Sequence, residues 1–298
     1  MIYYVYGENI IMLEIIYIVY YIYYMNILQE IRDNKKFFLI AGPCVIESRQ
    51  HALDMCASIK TICDKLGVTL IYKSSFDKAN RTSVDNYRGL DFKESLDILR
   101  EVKETYNVPI CTDIHESWQC QEVAKVADVL QIPAFLCRQT DLLIAAGKTG
   151  AIINIKKGQF ANCETMKHAY NKVLSTGNDK IWLTDRGTMH GYDDLIVDYR
   201  NLVLLRENKN ALVLQDITHS LQQPNRGSST QGLRYLIPTI ARASVAVGVD
   251  GLFMEVHDNP QKALSDAATQ WPLNKFEELL VELLEIHNVT KGRETQYI

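Results

Sequence analysis

From residue 37 onward, short apolar runs rich in β-branched residues alternate with longer amphipathic stretches, the pattern of repeated βα units around a parallel sheet. The runs predict strands at Phe37–Ala41, Thr69–Lys73, Pro109–Asp113, Val129–Pro133, Ala151–Ile155, Ile181–Thr184, Ala211–Gln215 and Gly251–Glu255. Between the strands the period changes to 3.6. Phe92, Leu96, Leu99, Val102 and Tyr106 share one face of a helix predicted over Phe92–Tyr106. Eight such units in about 260 residues predict an α/β fold of the (β/α)8 TIM-barrel type. An open doubly wound sheet is the alternative, but no G-x-G-x-x-G follows the first strand to support it. No low-complexity linker divides residues 35–298, which read as a single catalytic domain.

The first 34 residues read as an N-terminal extension, and residues 1–24 differ from everything after them. They hold eight of the 16 tyrosines, and their only charged residues are Glu8 and Glu14. A secretory signal needs a basic start and a small-residue cleavage site, and a membrane span needs about 20 apolar residues without an acid near the middle. Neither is present, so residues 1–24 are expected to lie outside the fold, with Met25 as an alternative start, and no membrane partner is expected.

In a TIM barrel the C-terminal ends of the strands open into the active-site mouth, so polar groups there are candidates for chemistry. Nearly every predicted strand ends in such groups: Pro43-Cys44-Val45-Ile46-Glu47-Ser48 after the first, Lys73 to Ser83 after the second, Asp113-Ile114-His115 after the third. Gln131, Ala134 and Arg138 follow the fourth strand, Lys156-Lys157-Gly158-Gln159 the fifth and Asp185-Arg186-Gly187-Thr188 the sixth. Asp216 and His219 follow the seventh, and Glu255, His257 and Asp266 the eighth.

Composition changes the picture in two ways. With 32 basic and 36 acidic residues the net charge is −4, so no global positive field gathers a nucleic acid. Against that background Lys73, Lys78, Arg81, Arg138, Lys156 and Arg186 concentrate cations on one rim, which suits small phosphorylated or carboxylated substrates. The seven cysteines are odd in number and contain no C-x-x-C pair, which reads as reduced thiols in the cytoplasm. One of them, Cys44, joins His219, Glu255 and Asp266 on the side where the first, seventh and eighth strands of a closed barrel meet. Thiolate, imidazole and two carboxylates suit a divalent transition metal such as Fe²⁺, Zn²⁺ or Mn²⁺.

Ile40-Ala41-Gly42-Pro43-Cys44-Val45-Ile46-Glu47-Ser48, Lys73 to Ser83, Gln131 to Leu143, Lys156 to Phe160, Arg186-Gly187-Thr188, Thr218-His219-Ser220 and Ala263 to Ala267 together resemble the 3-deoxy-D-manno-octulosonate 8-phosphate synthases. The resemblance runs from Phe38 to about Leu284 and is closest to the metal-dependent branch, because metal-independent members typically carry Asn at the position of Cys44. It implies condensation of phosphoenolpyruvate, D-arabinose 5-phosphate and water to the eight-carbon sugar acid phosphate and inorganic phosphate, on the way to Kdo and lipopolysaccharide. By the same resemblance Lys73, Ser75 and Lys78 hold the phosphoenolpyruvate carboxylate, with Gln131 and Ala134 nearby, while Lys156 and Arg186 take its phosphate. Asn80, Arg81 and Thr82 take the sugar phosphate. Arg138 reaches across an interface of a homotetramer to the same sugar, and Cys44, His219, Glu255 and Asp266 hold the metal. Lys73, Lys78, Asp113, His219 and Asp266 are the expected catalytic set, with Asp266, Glu255 or Asp113 as proton acceptor.

The sister heptulosonate synthases usually read Lys-Pro-Arg-Thr-Ser where this chain reads Lys78-Ala79-Asn80-Arg81-Thr82. A Schiff-base aldolase using Lys73 or Lys156 and a non-catalytic phosphosugar sensor are further alternatives. Removal of residues 1–24 is expected to leave soluble yield and turnover unchanged when the truncated and full chains are assayed side by side; a large loss would show that the extension belongs to the fold.

Overall fold

The computed structural model describes residues 31, 36–208, 210–223 and 231–291. The chain divides into two compact units, Met1–Phe37 and Phe38–Ile298; the expectation for residues 1–24 falls outside the described residues, and the architecture below is that of the second unit.

Eight parallel strands form the barrel: β1 Phe38–Gly42, β2 Thr69–Lys73, β3 Ile110–Asp113, β4 Val129–Ile132, β5 Ile152–Lys156, β6 Ile181–Asp185, β7 Leu212–Asp216 and β8 Gly251–His257. Each pairs with the next, and β1 also pairs in parallel with β8, from Phe38 beside Gly251 to Gly42 beside Glu255, closing the ring. The strands are almost wholly buried because they face the barrel interior on one side and helices on the other. The outer layer comprises α1 Arg49–Leu66, α2 Phe92–Tyr106, α3 Gln119–Ala124, α4 Thr140–Gly147, α5 Cys163–Leu174, α6 Arg200–Leu205, α7 Ile237–Val247 and α8 Phe276–Thr290.

Local chemistry sets the boundaries. Ser48 caps α1 by accepting from His51 N, and Gly67 ends it at φ 69°, a left-handed conformation without penalty for glycine. Asp91 caps α2 by accepting from Lys93 N and Glu94 N, and Leu96, Leu99 and Val102 bury its apolar face. Two carboxylates fasten the strand starts. Asp128 accepts from Ile110 N and Lys103 Nζ, while Asp250 accepts from Val213 N and pairs with Arg206. β2 has the expected bounds, and the other strands differ from the sequence expectation by one or two residues, mostly because the extended backbone continues into the polar residues of the mouth: β5 includes Lys156, β6 Asp185, β7 Asp216 and β8 His257. A small antiparallel hairpin, Thr188–His190 with Asp194–Ile196, stands beyond β6; the apolar pattern did not signal it.

The crossing of β1 and β2 determines how the mouth begins. A Cβ on Gly42 would lie 2.1 Å from the Lys73 carbonyl oxygen, so only glycine lets the two chains pass here. Beyond this point the loops stay together: Ser75 N donates to Cys44 O at 3.3 Å and Ile46 N to Ser75 O at 3.0 Å. Gly42→Ala therefore pushes Lys73 and Cys44 apart. It is expected to cost at least the ~1–3 kcal/mol typical of overpacking, read as a lower urea midpoint with an unchanged slope; a wild-type midpoint would contradict the packing argument.

Candidate active site

A cavity of about 920 Å³ opens at the C-terminal ends of the strands. Lys73, Lys78, Asn80, Arg81, Thr82, Asp113, Gln131, Ala134, Lys156, Arg186, His219 and Asp266 line it. Cys44, Ser75 and Glu255 are fully buried behind that lining. Arg138 departs from the expected rim of six cations. The short helical turn Ala134–Leu136 and buried Cys137 direct it outward, where it is exposed and does not line the cavity of its own chain.

Two buried cations are held by two buried acids on opposite sides of the barrel axis. Lys73 Nζ lies 3.0 Å from Asp113 Oδ2 and donates to Ser75 Oγ at 2.7 Å, and Ser75 in turn donates to Asp113. Gln131 Nε2 donates to the other Asp113 oxygen at 2.7 Å, Asn154 Nδ2 to Gln131 Oε1 at 2.9 Å and Thr184 Oγ1 to Asn154 Oδ1 at 2.7 Å. This chain of hydrogen bonds crosses from β2 to β6 and fixes the orientation of each amide. Opposite it, Lys156 donates to Asp216 and sits 3.4 Å from the centre of the Phe253 ring. Burial alone would raise Asp113, but Lys73, Lys78 and the surrounding donors hold its carboxyl well below the usual range. Burial lowers Lys156, with Asp216 opposing the shift, and lowers Arg186.

The loops above these pairs are stapled from behind. Lys157, next to Lys156 and pointing away from the cavity, is fully buried, donates to Ala161 O and Gly187 O at 3.2 Å each, and pairs with Asp185 at 3.5 Å. It ties the loop after β5 to the loop after β6, so that Lys156 and Arg186 share one wall.

Barrel closure brings the expected metal set together. A ligand atom from each of Cys44, Glu255 and Asp266 lies within 4.8 Å of the others. His219 Nε2 stands 3.3 Å from Glu255 and 3.5 Å from Asp266, with its Nδ1 on Asp216 at 2.7 Å. The chemistry of these residues fits a divalent ion. Neither buried Glu255 carboxylate oxygen has a hydrogen-bond partner; Oε1 is met only by ion pairs to His219 at 3.3 Å and Lys78 at 3.8 Å, and a buried anion so placed favours a further cation. Burial opposes charge on His219, yet Asp216 and Glu255 raise it to about 10, so the surrounding anions demand a proton or a metal at that imidazole. Asp216 also supplies the outer carboxylate that typically orients a ligating histidine. Burial, then Asp266 and Glu255, push the Cys44 thiol up. Asp266 itself adopts φ 47°, an uncommon conformation for a non-glycine residue and one that concentrates at functional sites.

Arg234 was not among the expected residues. It lines the cavity, hydrogen-bonds to Ala267 O, and keeps a buried Nε without a partner, as does Arg81. The rule that found the other cations, a basic residue just after a strand, passes over it because it lies 18 positions beyond Asp216, on a short helical turn before α7.

A barrel mouth with a cationic wall and a buried cluster of thiol, imidazole and carboxylates defines an enzyme site for small anionic substrates. The chain belongs to the DAHP synthetase I family, whose model matches residues 26–291. Within that family it is similar to the 2-dehydro-3-deoxyphosphooctonate aldolase of Pisum sativum, 58% identical over 263 residues, 86% of this chain and 90% of the pea protein. 2-Dehydro-3-deoxyphosphooctonate aldolase 1 of Arabidopsis thaliana is 56% identical over 271 residues, 89% of this chain and 93% of its own. The aldolase of Fusobacterium nucleatum is 49% identical over 259 residues, 87% and 93% of the two chains.

The Lys73–Asp113 pair yields a sharp test. Asp113→Asn leaves a buried ammonium without its counter-charge and is expected to cost about 3–5 kcal/mol of folding stability. Replacing both members, Lys73→Met with Asp113→Leu, is expected to recover much of that loss in the same urea titration. A double variant no more stable than the single one would show that the pair does not govern the packing of the mouth.

Proposed function

We propose that the protein is a transferase that condenses phosphoenolpyruvate with D-arabinose 5-phosphate and water, giving 3-deoxy-D-manno-octulosonate 8-phosphate and inorganic phosphate for Kdo and lipopolysaccharide synthesis. It works in the cytoplasm as a homotetramer with a divalent metal ion. The observation that carries the reading is the charge balance of the cavity: Lys73, Lys78, Lys156 and Arg186 are each less than a tenth exposed, and Arg81 and Arg186 donate to neutral oxygens, Ser265 Oγ and His219 O among them. Such an array is completed by anionic ligands. The relatives of similar length, named as 2-dehydro-3-deoxyphosphooctonate aldolases, support the choice of substrates.

In this reading Lys73, Ser75 and Lys78 bind the phosphoenolpyruvate carboxylate beside Gln131 and Ala134, and Lys156 and Arg186 bind its phosphate. Asn80, Arg81 and Thr82 orient the sugar, whose phosphate is met by Arg138 of a neighbouring subunit. The new bond joins C3 of the enol to the aldehyde carbon, water adds at C2, and phosphate leaves by carbon–oxygen cleavage. Fixing three reactants in one orientation can be worth about 7–11 kcal/mol. Asp113, Glu255 and Asp266 are all held as anions against the effect of burial, which suits them to countering positive charge at C2 rather than to storing a proton. Cys44, His219, Glu255 and Asp266 hold the metal, which supplies Lewis acidity toward water or a carbonyl oxygen.

The test is release of inorganic phosphate from phosphoenolpyruvate with arabinose 5-phosphate or erythrose 4-phosphate, before and after chelation. The expected result is release with arabinose 5-phosphate alone, abolished by chelator and restored by Mn²⁺, Fe²⁺ or Zn²⁺. Preference for erythrose 4-phosphate would assign the sister reaction, and turnover that survives chelation would remove the metal from the scheme.

A further inference from the structure

A second group of ligand-type side chains stands beside the mouth, outside the cavity lining. Glu47 follows Cys44 by three residues, His51 lies in the first turn of α1, and His257 ends β8 two residues after Glu255. Residues two apart on a strand face the same way about 6.6 Å further along, so His257 repeats, one step outward, the direction of Glu255. Ligand atoms of Glu47, His51 and His257 all lie within 4.8 Å of one another, and the two imidazole rings are 4.7 Å apart.

The pattern of occupied and free nitrogens decides what this group can do. On each ring one nitrogen is taken: His51 Nε2 contacts Asp258 Oδ1 at 3.1 Å, and His257 Nδ1 accepts from Asn259 N at 2.9 Å, with Asp258 Oδ1 also 2.9 Å away. The remaining nitrogens are His257 Nε2, 3.1 Å from Glu47 Oε1, and His51 Nδ1, which is buried and has no hydrogen-bond partner. A hydrogen-bonded Glu47–His257 pair accounts for two of the three residues. It leaves the orphaned nitrogen of His51 unexplained, and a buried lone pair without a partner is unfavourable.

We infer that Glu47, His51 and His257 form a second divalent-metal site, bound through two imidazole nitrogens and one carboxylate and separate from the Cys44 set. Two histidines and a glutamate with no sulfur suit Zn²⁺, Co²⁺ or Ni²⁺ better than Mg²⁺ or Ca²⁺. Binding at His257 Nε2 requires the neutral ring's single proton on Nδ1, where Asp258 Oδ1 at 2.9 Å accepts it in place of the Asn259 N contact, so the proton moves from Nε2 to Nδ1 and none is lost to solvent. Asp258 serves as the outer carboxylate for both rings. Glu47 Oε1 also accepts from Leu264 N at 2.9 Å, so an ion here would be linked to the loop that carries Ser265 and Asp266. The inference does not depend on the reaction proposed above.

Co²⁺ titration of the metal-free full chain, followed by absorption and by equilibrium dialysis, separates the two sites. Wild-type protein is expected to bind two equivalents, one giving a thiolate-to-cobalt charge-transfer band and one giving only ligand-field absorption. His51→Ala is expected to lose the second equivalent and keep the thiolate band. Cys44→Ser is expected to lose the band and keep the ligand-field equivalent. Glu47→Gln, which preserves side-chain size, provides an independent removal of the second ion, and thermal melting confirms that each variant is folded. Wild-type binding of a single equivalent, or two equivalents retained in both folded variants His51→Ala and Glu47→Gln, would overturn the proposal.

Discussion

The architecture of the mouth turns on a carboxylate with nowhere to go. Glu255 sits on the last strand to join the barrel, has no exposed surface, and makes no hydrogen bond through either oxygen. An anion in that position is tolerable only among cations and donors. The surrounding elements supply them: Lys78 from the loop after β2 at 3.8 Å and His219 from the end of β7 at 3.3 Å, with Cys44 from the end of β1 completing the cluster. None of these contacts is local in sequence: those from Cys44 and Lys78 depend on the pairing of β1 with β8 that closes the ring, and that from His219 on the pairing of β7 with β8.

Around this centre, charge is arranged in depth. Deep in the barrel the Lys73–Asp113 and Lys156–Asp216 pairs flank the Phe253 ring, with Lys73 Nζ 5.5 Å and Lys156 Nζ 3.4 Å from its centre. The Gln131–Asn154–Thr184 chain holds one side of that layer rigid. Nearer the opening, Arg81 and Arg234 each keep a guanidinium nitrogen unpartnered. The compensated pairs and the incompletely satisfied guanidinium groups alike line the cavity, and binding energy is directed to ligands that bring negative charge.

Much of this was legible from the chain because a parallel barrel writes a simple pattern. All eight strands lie within two residues of their expected bounds at either end, and the 3.6 period gave α2 without error, since burial of one helix face leaves little freedom in where apolar residues fall. The proximity of Cys44, Glu255 and Asp266 followed from the topology of a closed ring. What the pattern does not encode is direction and partnership. Arg138 follows a strand like the other cations but is turned outward by Ala134–Leu136. Arg234 reaches the cavity from far beyond its strand. The pairing of Lys156 with Asp216 spans two strands and 60 positions, and the unpartnered nitrogen of His51 is set by packing against a loop some 200 residues away.

The central claim is that the anionic cluster around Glu255 is built to be completed by a divalent ion. Scanning calorimetry of the metal-free chain, with and without saturating Mn²⁺ or Zn²⁺, tests it most directly when run in parallel on Glu255→Gln. An ion at a thousand times its dissociation constant adds about 4.1 kcal/mol to the folded state. The account predicts for the wild-type chain a rise in melting temperature that corresponds to a stabilisation of this size, and for Glu255→Gln the loss of most of that metal response. A full metal response in Glu255→Gln, or none in the wild-type chain, would contradict it.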